Sequence, residues 1–300
     1  MRNRIKYSQN FLKDKRLIES LLNKSSIKET DIVYEIGAGQ GIITTELIKR
    51  SGNVVAFEID ANLFNKLSDR FKNKKLLELR LGDFLDYTLP NQSYKVFSNI
   101  PFNITSAIIK KLTQSPNPPE DAYLIVQQEA SSKFIGKPEE KVNSLLSILI
   151  KSNFNITIFH RFNREDFFPK PNVDVVMLRI QKLDSPLIPI QYTHLFYDFV
   201  TYTFSQFKPN ILQGLSKVID KNKVIELAHK THFLTTLKPS ELDFAHWLIL
   251  FDTFVKTSSI TQKRIVQGSF KRLQLQQTTL QKINRTRNDR NWKNLGKQKN

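Results

Sequence analysis

Cysteine is absent from the 300-residue sequence. That excludes disulfides, thiolate nucleophiles and Cys-based zinc sites, and it suits a reducing cytosol. The basic N-terminus, MRNRIKYSQNFLKD, is followed by no apolar stretch, so no signal peptide is expected. The longest apolar runs, such as LLSILI and WLILF, are far too short to cross a bilayer. There are no internal repeats. Acids are scarce: 28 Asp and Glu stand against 46 Lys and Arg, a net charge of +18. A field of that sign attracts polyanions, nucleic acid before anionic membrane. Residues 263–300 hold eleven Lys and Arg and a single acid, Asp289, and so carry more than half of the excess. A basic end is often merely solubilising, but the rest of the chain is basic too, which that reading leaves unexplained.

What the chain has in quantity is apolar and aromatic mass: 40% hydrophobic residues, with 22 Phe, 8 Tyr and 2 Trp. This is the composition of a folded protein, long enough for one large domain and a smaller one. From residue 31, short apolar strands alternate with helical stretches. DIVYEIGAG precedes ITTELIKRS, and VVAFEID precedes ANLFNKLSDRFKN, where Leu63, Phe64, Leu67 and Phe71 have helical spacing. LLELRLGDF, YKVFSNIPF, TSAIIKKLT, AYLIVQ and SLLSILIKS continue the series, and FNITIFHRF with VDVVMLRIQ reads as a closing antiparallel pair. Repeated βα units build a parallel sheet covered on both faces, so residues 1–185 are expected to form an α/β, Rossmann-like domain. Two prolines in KLDSPLIPIQ mark a linker. Beyond it the pattern is helical. Phe244, Trp247, Leu248, Phe251, Phe254 and Val255 form one apolar stripe, with a helix start expected at Ser240, Glu241 and Asp243. Residues 186–262 are expected to be a smaller all-helical domain. Residues 263–300 are expected to be a basic tail, disordered or helical only in part.

EIGAGQG sets Gly37, Gly39 and Gly41 at the end of the first strand. It is not the dinucleotide pattern G-x-G-x-x-G, because position 42 is Ile, and not a Walker loop, because no Gly-Lys-Ser/Thr follows. What remains is a tight turn that lets a ligand approach the backbone. Glu58, followed by Ile59, ends the second strand, where an acid can accept both hydroxyls of a ribose. Asp83 and Phe84 follow the third, a carboxylate for an exocyclic amine and a ring for a purine face. Each has a plain reading alone: a helix-starting turn, an exposed acid, a turn Asp beside a core Phe. Together, at three consecutive strand ends, they describe S-adenosylmethionine better than NAD, since there is no pyrophosphate cradle. In SNIPFNIT, residues 98–105, Pro101 stops a strand and displays an asparagine and an aromatic at its end. The alternatives are a turn with a surface Phe and a rigid clamp for something flat.

These motifs resemble the ribosomal RNA adenine N6-dimethyltransferases, and among them the Erm-type enzymes of macrolide, lincosamide and streptogramin B resistance. The resemblance is carried by SQNFLKD (8–14), EIGAGQG (35–41), FEID (57–60), GDF (82–84), NIPF (99–102) and FFPKPNVD (167–174). It covers about residues 7–256, and nothing beyond 262 has a counterpart. It implies an S-adenosylmethionine-dependent methyltransferase placing one or two methyl groups on N6 of an adenine in 23S rRNA before ribosome assembly is complete. A cytoplasmic monomer without metal is implied as well. By the same resemblance Asn10 and Leu12 close over the cofactor, and Gly37 and Gly39 meet it through their backbone. Glu58, with Ile59, takes the ribose, Asp83, with Phe84, takes the adenine, and Asn99 lies at the methionine end. Phe102 stands where many relatives have tyrosine, which keeps the π-face and removes any role for a phenolic hydroxyl.

An adenine must leave its stack to be modified at N6, and stacking on protein aromatics offsets that cost. Phe102 is the expected lower platform and Phe167 the upper or side wall. The Asn99 side-chain oxygen and a carbonyl near Ile100 accept from the amine, and Pro101 holds these acceptors still. Asn99 and Phe102 are therefore the expected catalytic pair, and Ile100, Pro101 and Phe167 the substrate contacts. No tuned base is required, because the ammonium formed on transfer loses its proton to water. His160, His194 and His246 read as ordinary residues, and Glu226, His229 and His232 as a solvated helix face rather than a metal site. Arg2, Arg4, Lys6, the helical domain and the tail are expected to hold RNA phosphates. The rival readings are a small-subunit (16S-type) rRNA dimethyltransferase, a DNA adenine methyltransferase, and a non-catalytic nucleic-acid-binding relative.

Overall fold

The computed structural model describes residues 10–136 and 143–279. A two-residue strand, β1 (Phe11–Leu12), leads into α1 (Lys15–Lys24). Then come β2 (Ile32–Ile36), α2 (Ile42–Arg50), β3 (Asn53–Glu58), α3 (Ala61–Phe71), β4 (Leu77–Leu81), β5 (Lys95–Asn99), α4 (Thr105–Thr113) and β6 (Asp121–Gln127). Helices α5 (Gln128–Ile135) and α6 (Leu145–Lys151) precede β7 (Phe154–Phe162), the short β8 (Phe167–Phe168) and β9 (Val175–Lys182). The remainder is helical: α7 (Thr193–Ser205), α8 (Ile211–Leu215), α9 (Lys221–Thr231), α10 (Phe244–Thr257), α11 (Ile260–Val266) and α12 (Ser269–Thr279).

Seven strands form one sheet in the order β4-β3-β2-β5-β6-β9-β7. The five from β4 to β6 are parallel, and β9 pairs antiparallel with both β6 and β7. Side chains alternate across the sheet. Val33, Val54, Ala56, Tyr123 and Ile125 enter a core with α1, α2 and α3, whereas Tyr34, Val55, Phe57, Ala122 and Leu124 enter another with α4. Covering both faces explains why strands such as VVAF and YLIV are apolar throughout instead of alternating with polar residues.

A third core belongs to the helices. Trp247, Leu250, Phe251 and Phe254 of α10 are buried with Phe196, Phe199 and Val200 of α7. Ile148 and Leu149 of α6 enter this core, while Ile150 of the same helix enters the sheet's, so α6 joins the two units. The α10 N-cap is Asp243, whose side chain accepts from the His246 amide at 3.0 Å. Pro239–Glu241 form a separate 3-10 turn ahead of it.

The expected tail is partly folded. Residues 260–279 continue as α11 and α12, with Val266 fully buried in the helical core and Phe270 packed against it. The apolar residues at 266, 270 and 273 are what a reading dominated by Lys, Arg and Gln overlooks. Residues 280–300 lie outside the described residues.

Candidate active site at the carboxyl ends of the strands

The strand order reverses between β2 and β5, and open α/β sheets bind ligands in the crevice beyond such a reversal. Here the crevice has a local cause. The β2–β3 ladder runs on to Ile36 and Phe57, but β2 and β5 are in register only at Val33 with Lys95 and Tyr34 with Val96. Beyond that the buried Ser98 hydroxyl spans the seam, accepting from the Ile36 amide at 3.0 Å and donating to the Ile36 carbonyl at 2.6 Å. Gly37 and Asn99 follow directly on either side. Ser98 was not among the expected site residues, although a small polar residue in an otherwise apolar strand was the available signal.

The glycine loop is organised by Glu58. Its Oε2 accepts from the Gly39 amide at 2.7 Å and its Oε1 from the Asp60 amide at 2.9 Å. A carboxylate has about four acceptor sites, so each oxygen keeps capacity for a ribose hydroxyl. Gly39 has φ +58, and a Cβ there would lie 2.6 Å from the Phe11 ring, so only glycine admits both the turn and the aromatic over it. The Gly37 amide is already committed to the Phe57 carbonyl at 2.9 Å. What Gly37 can still offer a ligand is its own carbonyl and an unshielded Cα. Beneath the loop, burial pushes the Glu35 carboxyl up to about 8, opposed by the Thr44 hydroxyl that donates to it at 2.6 Å and reinforced by the charge of Glu58.

A cleft of about 1180 Å³ opens over these strand ends. Gly37, Glu58, Ile59, Asp83, Phe84 and Pro101 are among its lining residues. One oxygen of Asp83, Oδ1, caps the following turn by accepting from the Leu85 amide at 2.8 Å. Phe84 is 3% exposed and meets Phe57 edge-on at 5.2 Å, so it is core as well as lining. Ile59, 46% exposed, supplies the more open apolar face.

A second, narrow recess of about 50 Å³ shares Gly37 and Pro101 with the cleft and is lined further by Asn10, Phe11, Gly39, Asn99, Ile100 and Phe102. Asn99 Nδ2 donates to the Asn10 carbonyl at 2.7 Å. A carbonyl only accepts, so the amide must face Asn10 with its nitrogen, and Oδ1 is left as the uncommitted acceptor. The Ile100 side chain is buried in the sheet core, so only its backbone can meet a substrate. Phe102 is half-buried and begins the 3-10 turn that leads into α4.

One expectation is corrected, for Phe167, and another, for Leu12, is narrowed to its backbone. β1 and β8 pair antiparallel, Phe11 with Phe168 and Leu12 with Phe167. Alternation then sends Leu12 and Phe167 into the sheet core, 4% and 1% exposed. Phe11 lines the recess with its side chain, which leaves Leu12 its backbone to offer a ligand, and Phe168, paired with Phe11 and 67% exposed, is the displayed aromatic where Phe167 is buried. Both aromatics were missed; counting alternate residues along FFP and NFL was the usable signal. Arg2, Arg4 and Lys6 lie outside the described residues. His232 takes a left-handed conformation as the C-cap of α9, φ +59, so it leaves the helical repeat that Glu226 and His229 share. Among the described residues no group of three potential ligands is disposed to hold a metal ion, and no helix is long and apolar enough to cross a membrane.

Comparison with known proteins settles the family. The sequence pattern of the ribosomal RNA adenine dimethylases matches residues 1–254. The chain belongs to that family. It is an rRNA adenine N6-methyltransferase, and its relatives carry two kinds of name. It is 34% identical over 202 residues to an rRNA adenine N-6-methyltransferase of Escherichia coli, covering 67% of this chain and 80% of the relative. It is 33% identical over 245 residues to the ribosomal RNA small subunit methyltransferase A of Mycoplasma mobile, covering 81% and 94%. In fold it is similar to the 23S rRNA methyltransferase ErmE, with a TM-score of 0.75 at 24% identity over 82% of this chain and 100% of that one. A dimethyladenosine transferase from Plasmodium falciparum also shares the fold, with a TM-score of 0.67 at 22% identity over 82% of this chain and 98% of that one.

Proposed function

We propose that the cleft binds S-adenosylmethionine and that the enzyme methylates N6 of an unpaired adenine in 23S rRNA, conferring macrolide, lincosamide and streptogramin B resistance as a cytoplasmic monomer. The residues fit the donor. Glu58 keeps acceptor capacity for ribose hydroxyls, Asp83 keeps one carboxylate oxygen for an adenine amine, and Ile59 offers an apolar face. The absence of a Cβ at Gly37 leaves room for a chain to pass from the cleft to the recess, since both are bounded by Gly37 and Pro101. Bound there, S-adenosylmethionine supplies an electrophilic methyl group on a sulfonium.

Asn99 carries the reading. With Nδ2 held by Asn10, its Oδ1 accepts one N6 hydrogen of the target adenine, and the Ile100 carbonyl accepts the other. Both bonds draw the amine lone pair out of conjugation with the ring, which makes it a nucleophile. Pro101, with no amide hydrogen and a restricted φ, keeps the two acceptors in place before substrate arrives. The recess is far smaller than a purine, so the base lies across its rim against Phe102, with Phe168 and Phe11 at the side. No residue need act as a base, since the product ammonium is strongly acidic. Residues 1–185 perform this step, and the helical part, with the tail 263–300, adds positive charge that holds RNA phosphates.

The large-subunit target is favoured by the NIPF tetrapeptide and by Trp247 in HWLILF, both of which resemble the Erm-type enzymes. The second reading is a small-subunit target, which relatives of that name support. Methylation of naked 23S and 16S rRNA, mapped by reverse-transcriptase stops, separates them. A single donor-dependent stop in 23S, with drug resistance in a sensitive host, is expected; a stop in 16S alone overturns the large-subunit reading.

A further inference from the structure

Part of the cleft lining comes from residues beyond the family match. Phe270, Leu273, Gln274 and Gln277 of α12 border the same continuous space as Glu58, Ile59 and Asp83. The family pattern ends at residue 254. The spacing 270, 273, 274, 277 is one face of a helix, and that face carries no charge, whereas Lys271 and Arg272 point elsewhere.

The placement is built at both ends. At the start of α12, the Asp198 carboxylate of α7 accepts from the Gly268 amide at 2.8 Å and the Phe270 amide at 2.9 Å. Those are two of the donors a helix N-terminus leaves without internal partners. Gly268, φ +75, makes the turn from α11 that permits this. The Phe270 ring meets Tyr197 edge-on at 5.2 Å. Toward the other end, Lys110 Nζ of α4 donates to Gln277 Oε1 at 2.7 Å. Helix α12 is thus anchored to the helical part by its first turn and to the sheet part by its last. Between those anchors it faces the strand ends across the cleft. At about 1180 Å³ the cleft has room for a nucleoside-sized ligand between α12 and the strand ends.

We propose that α12 is part of the donor site: the Phe270, Leu273, Gln274 and Gln277 face covers the adenosine half of S-adenosylmethionine and sets how tightly the donor and its demethylated product are held. The face has the chemistry for this. Phe270 and Leu273 can shield a ring, and two amides can each donate to and accept from the polar edges of a nucleoside. This rests on the reading of the cleft as a donor site.

The test is equilibrium and stopped-flow binding of S-adenosylmethionine and S-adenosylhomocysteine to the full-length protein and three variants. The double variant Leu273→Ala/Gln274→Ala should bind both ligands about tenfold more weakly and release S-adenosylhomocysteine correspondingly faster. Gln274→Ala alone, at an exposed position where folding is not at stake, should show a smaller loss in the same direction. A chain ending at Thr279, which keeps α12 and removes the last basic residues, should bind like the parent. Unchanged affinity and release in both wall variants overturn the proposal. So does equal weakening by the shortened chain, which would assign the effect to general charge. A parent protein that binds neither ligand overturns the donor reading itself.

Discussion

The two ends of the central sheet use their acids differently. At the amino end, Asp121 is 3% exposed and accepts from Ser26 Oγ at 2.8 Å, Tyr123 Oη at 3.1 Å and Arg179 Nη2 at 2.6 Å. Nearby, Lys95 Nζ joins the Ser26 carbonyl to Asp31 Oδ2 at 2.6 and 2.7 Å. At the carboxyl end, Glu58 and Asp83 hold backbone amides and, among the described residues, no cation. An acid paired with a guanidinium and two hydroxyls has spent its acceptor capacity on the fold. An acid holding amides retains lone pairs for the neutral hydroxyls and amines of a nucleoside. One end is closed by charge, and the other is kept open by withholding it.

The comparison breaks if the amino end also governs binding. Asp121→Ala removes a buried carboxylate that holds two hydroxyls and the partly exposed Arg179 guanidinium, and should cost about 2–3 kcal/mol in urea unfolding. Donor affinity, measured by calorimetry on the folded fraction, should not change. A loss of affinity there would mean that the two ends are coupled.

The same contrast can be sharpened within one strand. Phe167→Ala opens a cavity in the sheet core and should destabilise by about 3–5 kcal/mol. Phe168→Ala, one residue along and 67% exposed, should leave stability within about 0.5 kcal/mol. It should instead slow methylation of RNA about tenfold, from the stacking it removes. Reversed effects would return Phe167 to the site.

How far the sequence could be read follows from such pairs. The parallel sheet, the closing antiparallel strands and the α10 stripe were legible because apolar periodicity reports directly on which face is buried. The glycine loop and the acids after β3 and β4 were legible because their residue types are uncommon at strand ends. Phe167 was misassigned because a motif names a pair of neighbours, while pleating decides which of them points outward. Asp198 was invisible for another reason: it acts through hydrogen bonds to residues seventy or more positions away. Helices α11 and α12 were hidden by composition, since Val266, Phe270 and Leu273 among Gln, Lys and Arg suffice when a preformed surface receives them.

The last prediction is a slope with pH. Burial pushes the Glu35 carboxyl up to about 8 in the folded protein, from the ordinary 4.5 of a glutamate. The native state therefore keeps a proton that the unfolded chain releases. The stabilisation this confers is complete below about pH 4.5 and is lost as pH rises through 8. Wild-type melting temperature should fall across that window relative to Glu35→Gln, which has no proton to release. Parallel curves would show that Glu35 is ionised beneath the loop.

The central claim is that the open end of the sheet seats a methyl donor against the amine of an extruded adenine held by Asn99. The most direct measurement supplies S-adenosylmethionine labelled in its methyl group to the enzyme with rRNA, digests the RNA to nucleosides and weighs them. Label in N6-methylated adenosine for the wild type, reduced at least about 100-fold in a folded Asn99→Ala variant, is the predicted result. Label on any other atom, or transfer by Asn99→Ala at the parental rate, would contradict it.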